Sequence, residues 1–290
     1  MSAAQDRPPF AIAAGTTIGV ALRQPPIAPL EARILLAHAL QLTRVQLITL
    51  SDRPLSAEEA GLVSALFNRR IAGEPIAYIT GEREFFGLVL HTTPDVLIPR
   101  PETELLVELA LERLPTKGRV LDMGTGSGAI AIAIAHTRPD AVVTALDVSH
   151  AALDVAQRNA ARHDACVRLI RSDWYSALND EQFDLIVANP PYIDKNDPHL
   201  SQGDLRFEPL HALTDGDDGL SALRTIIQGA VGHLADGGWL LMEHGYDQAS
   251  AVRDLLAQQG FREASSWKDI AGIERITGGK HVASAPTHQD

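Results

Sequence analysis

One cysteine, Cys166, occurs in 290 residues. That excludes an internal disulfide, and with no Cys/His cluster a structural zinc site is not expected. Long apolar runs are missing too: no window approaches the roughly 20 apolar residues of a bilayer-spanning helix. The opening MSAAQDRPPF lacks a basic segment followed by an apolar core, so no secretory signal is expected and the cytoplasm is the expected compartment. Positive charge is scarce, with 25 Lys and Arg against 37 Asp and Glu for a net charge of −12. Bulk attraction to phosphate is therefore not a source of affinity, and neither nucleic acid nor a membrane surface is expected as a direct partner. A basic protein would suit such a chain. What is present, 45% apolar and 21% charged residues, is the composition of an ordinary globular protein. The length suggests one large or two smaller domains.

The hydrophobic pattern changes along the chain. PLEARILLAHALQL has apolar residues on a helical period at Leu30, Ile34, Leu35, Ala37 and Leu42. SAEEAGLVSALFNRRIAG opens on a capping box, Ser56 with Glu59, and closes on Gly73. EFFGLVLHTTPDVLI has the short alternating stretches of a hairpin, and PRPETELLVELALERL begins a helix with Pro101 in its first turn. From Arg119 the reading is α/β, with strands at RVLDM, AVVTALD, CVRLI, FDLIVAN, GGWLLMEH, FREASSW and ERIT. Helices fall between them near 128–136, 150–162, 219–233 and 247–259. This alternation implies a mostly parallel sheet with helices on both faces, and ligands at the carboxyl ends of its strands. The expected division is a helical bundle over 1–80, a β-hairpin connector over 81–98, the α/β domain over 99–277 and a disordered tail over 278–290.

VLDMGTGSGAIAIAIA places Gly124, Gly126 and Gly128 between a strand and a helix, where backbone can approach a ligand and the helix N-terminus favours anionic groups. Gly124, Gly126 and Ala129 also satisfy the dinucleotide fingerprint, so the loop alone is open between a nicotinamide cofactor and S-adenosylmethionine. Asp147 ends the next strand and could accept both hydroxyls of a ribose; Ser149 is available for the competing task of helix capping. Asp122 is a strand-end carboxylate that would be costly without a donor or cation. The protonated amine of S-adenosylmethionine could serve it, whereas a dinucleotide pyrophosphate would repel it. Asp173 and Trp174, after the third strand, offer an amide acceptor and an aromatic face for adenine, although Trp174 could equally be a core residue.

The fourth strand stops at VANPPYID. Two prolines cannot extend a sheet, and an amide and an aromatic ring accompany them. A planar NH₂ group is a weak nucleophile because its lone pair is delocalised. To methylate it, a site must hold both N–H bonds and aim the nitrogen at the methyl group. The Asn189 side-chain oxygen can accept one N–H and the Pro190 carbonyl the other. Pro191 stiffens the turn, and Tyr192 can stack on a flat substrate. No strong base is needed, because the nitrogen becomes acidic only once the methyl arrives.

VLDMGTGSGAIAIA, SDW, ANPPYI and RRIAGEPIAYITGEREFFGL…VLIPRPETE together resemble the peptide chain release factor glutamine methyltransferases, the PrmC/HemK family, from about Pro29 to Thr277. NPPY is shared with adenine and cytosine amino-methyltransferases. IPRPETE, RFEPLHAL and the small helical N-terminal domain belong with the glutamine enzymes. The resemblance implies a Rossmann-like class I S-adenosylmethionine-dependent sheet with an N-terminal helical domain that docks the partner. It implies methyl transfer to the glutamine amide of the Gly-Gly-Gln motif in class-1 release factors. Gly124, Thr125, Gly126, Ser127, Gly128, Asp147, Trp174 and Asn189 fall on the family's cofactor positions, and Asn189, Pro190, Pro191 and Tyr192 on its substrate site. A monomer is expected. The chain departs from the family at its C-terminus, ERITGGKHVASAPTHQD, which puts the end of the last strand in doubt. A ribosomal-protein glutamine methyltransferase would use the same chemistry. A nucleic-acid adenine methyltransferase would need a basic recognition surface and a way to flip a base. A nicotinamide oxidoreductase leaves NPPY without a task, and a non-catalytic adapter would not need Asn189.

Overall fold

Local signals set most element boundaries in the computed structural model, which describes residues 8–282. Two units emerge, 1–81 and 82–290. Among the described residues the first contains five helices: α1 (Ile18–Arg23), α2 (Pro29–Leu40), α3 (Arg44–Thr49), α4 (Ala57–Ile71) and α5 (Ile76–Thr80). Ser56 and Glu59 close the anticipated capping box on α4, and Thr43 with Gln46 makes a second one on α3. Each box satisfies two backbone N–H groups that a helix start leaves open. Ile18, Leu35, Leu36, Val63 and Phe67 are fully buried. On α2 the buried stripe is Ala32, Leu35 and Leu36. Leu30, expected on that face, is exposed: it lies in the first turn beside Pro29, off the i, i+3, i+4 row that begins at Ala32.

The second unit begins with a hairpin, β1 (Glu82–Phe85) and β2 (Leu88–His91), whose turn residues Phe86 and Gly87 both have positive φ, 51° and 78°. That is the twist a two-residue hairpin loop requires. Pro101 opens a 3₁₀ turn, 101–103, that leads into α6 (Glu104–Arg113). Then follow β3 (Arg119–Met123), α7 (Ala129–Thr137), β4 (Val142–Asp147), α8 (His150–Arg162), β5 (Val167–Arg171), β6 (Phe183–Ala188), α9 (Ser221–His233), β7 (Leu234–Glu243), α10 (Ala249–Gln258), β8 (Arg262–Lys268) and β9 (Glu274–Lys280).

The sheet order is β5-β4-β3-β6-β7-β9-β8. The first five strands are parallel, while β9 pairs antiparallel with both neighbours. Alternate side chains of β3 feed the two cores, Val120 on one face and Leu121 and Met123 on the other, as expected for a strand buried on both sides. The chain leaves β3 for β4 and β5, then returns to β6 on the other flank. This reversal opens a crevice beyond the carboxyl ends of β3 and β6. The expected tail begins too early: Gly278, Gly279 and Lys280 continue β9 opposite Leu241, Leu240 and Trp239. A Cβ on Gly278 would lie 2.4 Å from the Leu240 carbonyl oxygen, so the glycines admit close strand pairing instead of ending it. The rest of that expectation, 283–290, lies outside the described residues.

Candidate active site

β3 delivers the glycine loop to the crevice. Gly124, Gly126 and Gly128 have φ of 70°, 54° and 83°, values that favour glycine. The Leu146 carbonyl accepts the N–H groups of both Gly124 and Thr125 at 2.9 Å, which ties the loop to β4. Asp122 lies beneath it, fully buried. Its Oδ2 accepts the Thr125 hydroxyl at 2.6 Å and the Ala131 N–H at 3.2 Å. Its Oδ1 is buried without a hydrogen-bond partner. Burial is the main reason its pKa is pushed up to about 7, against the lowering effect of the Thr125 and Ala131 bonds. Asn159 supports the loop from α8, donating to the Ser127 carbonyl at 2.9 Å and the His91 carbonyl at 3.0 Å.

A cavity of about 240 Å³ occupies the crevice. Its wall brings together Gly124, Thr125, Gly126, Ser127, Asp147, Asp173, Trp174, Asn189 and Pro191. Four expected site residues are not in that wall. Asp122 is under the loop and organises it. Gly128 faces Ile132 and Ala156 at the start of α7, Pro190 is buried, and Tyr192 lines a second, more open cavity with Arg100, Glu243 and Arg275. Trp174 lines the cavity and also packs on the core. Its φ of 45° is held by the Ser172 hydroxyl donating to its carbonyl at 2.6 Å.

Asp147 also reaches into the loop. Its Oδ2 accepts the Gly126 N–H and its Oδ1 the Ser149 N–H, both at 2.9 Å, while the Ser149 hydroxyl caps α8. Each carboxylate oxygen keeps capacity for another donor. Together these features suit S-adenosylmethionine. Gly124 and Gly126 have no atom within 4 Å of where a Cβ would stand, so backbone can meet a ligand there. Asp147 supplies acceptors and Trp174 a flat apolar face. Asp147→Ala should therefore weaken binding of S-adenosylmethionine by about one to two orders of magnitude for each ribose bond lost, given about 1.5–3 kcal/mol for each hydrogen bond to a charged group. Calorimetry on the folded variant checks this, and unchanged affinity would remove Asp147 from the site.

Several contributors carried no local signature. Asn189 Nδ2 donates to the Thr103 hydroxyl oxygen at 3.1 Å, and Thr103 donates to Glu243 Oε2 at 2.6 Å. The Tyr192 hydroxyl donates to Glu243 Oε1 at 3.0 Å. Tyr192, expected as a stacking surface, is thus held by its hydroxyl. Burial, reinforced by the Glu243 carboxylate, raises its pKa and keeps it protonated. Burial likewise raises the pKa of Glu243, while its bonds to Thr103 and Tyr192 and the charge of Arg275 work the other way. Glu208, wholly buried at its side chain, accepts from Arg100 at 2.5 Å and from the Ile98 N–H at 3.0 Å. That ion pair joins the IPRPETE and RFEPLHAL segments, and Arg100 and His211 from these segments line the cavity. Among the described residues no cluster of three or more metal-ligating side chains occurs, and no helix is long and apolar enough to cross a membrane.

Comparison with known proteins agrees with this geometry. Residues 101–203 match the methyltransferase small domain and residues 19–81 the PrmC N-terminal domain. A release factor glutamine methyltransferase of Burkholderia pseudomallei is 58% identical over 268 residues, covering 89% of this chain and 94% of that protein. One of Escherichia coli is 46% identical over 254 residues, covering 87% and 91%. Among solved structures, a methyltransferase from Pyrococcus furiosus superimposes with a TM-score of 0.54 at 20% identity over 74% of this chain and 97% of that one, a likeness of fold.

Proposed function

Because this chain belongs to the family of the release factor glutamine methyltransferases, we infer that it transfers a methyl group from S-adenosylmethionine to a glutamine side-chain amide nitrogen of a peptide chain release factor. The substrate glutamine is that of the Gly-Gly-Gln motif of class-1 factors, as the family resemblance implies. The observation that carries the reading is the position of Asn189. It follows β6, the neighbour of β3, and shares one cavity wall with the glycine loop that follows β3.

When bound, S-adenosylmethionine supplies an electrophilic methyl group on a sulfonium. The chain's own residues do the rest. Asp147 would hold the ribose hydroxyls, Trp174 would flank the adenine, and Asp173 would accept from its amino group. Asn189 accepts one N–H of the substrate amide through Oδ1 and the Pro190 carbonyl accepts the other, which turns the nitrogen toward the methyl. Positioning of this kind can supply about 7–11 kcal/mol of a barrier. No residue need act as a strong base, since the second amide proton leaves from a nitrogen made acidic by methylation. Mass spectrometry of a class-1 release factor incubated with the protein and methyl-labelled S-adenosylmethionine tests the assignment. A labelled Gly-Gly-Gln glutamine is expected, and an unlabelled factor would overturn it.

The helical unit is proposed as the docking element for the release factor. The match of residues 19–81 to the PrmC N-terminal domain supports this, as does the completeness of the cavity wall without it, since every residue of that wall lies beyond Glu82. A chain beginning at Glu82 should keep its affinity for S-adenosylmethionine and lose most activity on intact release factor. Starting later would remove the hairpin whose His91 is bonded to Asn159. Full activity of the shortened chain would show that the helices do not dock the substrate.

A further inference from the structure

With Glu243 ionised, Thr103, Glu243, Asn189 and Tyr192 form a hydrogen-bonded chain whose direction is determined at every link. Glu243 ends β7, is buried, and accepts at both oxygens. The hydroxyl of Thr103 has a single proton, which it spends on Glu243 at 2.6 Å. Its oxygen can then only accept, and of the two ends of the Asn189 amide only the NH₂ can donate to it. The amide is anchored through Nδ2 at 3.1 Å, and Oδ1 is the end left to accept. An asparagine without such an anchor has two orientations of similar shape. The flipped one would set N–H groups against the N–H groups of a substrate amide.

We propose that Thr103 and Glu243 are positioning residues that fix the orientation of the Asn189 amide, so that its oxygen meets the substrate N–H. This rests on Asn189 being the substrate acceptor. The same carboxylate holds the Tyr192 hydroxyl, so one buried group braces both ends of the NPPY turn from a strand and a 3₁₀ turn remote in sequence. Neither residue touches the reacting atoms in this scheme; each acts through Asn189.

Thr103→Val keeps the branched shape and removes the hydroxyl, whereas Thr103→Ser keeps the hydroxyl. With cofactor saturating, single-turnover methylation of a release factor by Thr103→Val should fall about 10- to 100-fold, the effect of losing one hydrogen bond to a charged group and the orientation it sets. The Kd for S-adenosylmethionine should change far less than the rate, since the hydroxyl removed is bonded to Asn189 and Glu243. Thr103→Ser should recover most of the rate, which a purely steric role of Thr103 would not give. Combining Thr103→Val with Asn189→Ala should cost no more than Asn189→Ala alone, because both act on the same acceptor. Glu243→Gln provides a second route if the valine variant folds poorly: its amide cannot accept at both ends, so its rate should fall as well. A Thr103→Val enzyme at the wild-type rate beside an inactive Asn189→Ala enzyme would overturn the positioning role and leave the proposed function standing. An Asn189→Ala enzyme that remains fully active would overturn the acceptor reading and this inference with it.

Discussion

Asn189→Ala is expected to reduce single-turnover methyl transfer by several orders of magnitude while cofactor affinity falls only modestly. The substitution removes the acceptor for one substrate N–H and leaves Pro190, Pro191 and the glycine loop in place. An unpaired polar group alone costs about 1–3 kcal/mol. The rate loss should exceed that, because the same contact sets the direction of the nitrogen, and orientation is where most of the barrier reduction resides. The Thr103 hydroxyl oxygen, which accepts from Asn189 at 3.1 Å, would also lose its donor. Asn189→Asp is the sharper comparison. It keeps an acceptor in place but cannot donate to Thr103, and its carboxylate must be desolvated beside the substrate. Some activity should survive, below wild type and above alanine. Rapid-quench measurement with saturating cofactor separates these outcomes. A near-wild-type alanine variant would reduce Asn189 to a strand cap and refute the mechanism.

Gly128→Val should be the most damaging change in the glycine loop, and through stability more than through direct contact. Gly128 has a φ of 83°, and a Cβ there would stand 2.7 Å from Ile132 Cδ1, 3.2 Å from Ala156 Cβ and 3.3 Å from Ala156 Cα. The isoleucine methyl can swing away, but Ala156 presents backbone of α8 and cannot. A β-branched residue held at positive φ costs about 1–3 kcal/mol, and overpacking adds about 1–3 kcal/mol. Against a total stability of about 5–15 kcal/mol, Tm should fall by roughly 5–20 °C. Cofactor binding should be largely lost, since the loop that starts α7 would be displaced. Gly124→Ala supplies the contrast. Its Cβ would meet nothing within 4 Å, so only the backbone strain remains. Its methyl would occupy cavity space, so the predicted loss is in cofactor affinity and far less in Tm. Thermal unfolding and cofactor titration of the two variants check this, and a Gly128→Val protein with wild-type Tm would contradict it.

The two aspartates of the nucleotide end show where local reading runs out. Asp122 and Asp147 both stand at strand ends near the glycine loop, and both read from the sequence as candidates for a cofactor contact. In the folded chain Asp147 reaches the cavity wall. Asp122 is beneath the loop, with one oxygen on Thr125 and Ala131 and the other unpartnered. Strand pairing with β4 and β6 made that difference. The tail failed for a related reason. GGK reads as a chain end, yet Gly278 and Gly279 are where β9 must pass close to β7.

The α/β alternation, the glycine loop, the NPPY turn and the capping box on α4 were all determined by the sequence itself. Each is a matter of conformational preference within a few residues: positive φ that only glycine adopts freely, prolines that cannot extend a sheet, a hydroxyl three residues before a glutamate. The tertiary structure alone decided which ordinary residues hold those devices in place. Thr103 meets Glu243 across 140 residues, Arg100 meets Glu208 across 108, and Asn159 meets His91 across 68. Threonine, glutamate, arginine and asparagine are common on any surface. What makes these three pairs part of the site is burial together at one end of the sheet, where an unmatched polar group is costly and a matched one is held in a single orientation. That condition depends on strand order and register, which no stretch of neighbouring residues encodes.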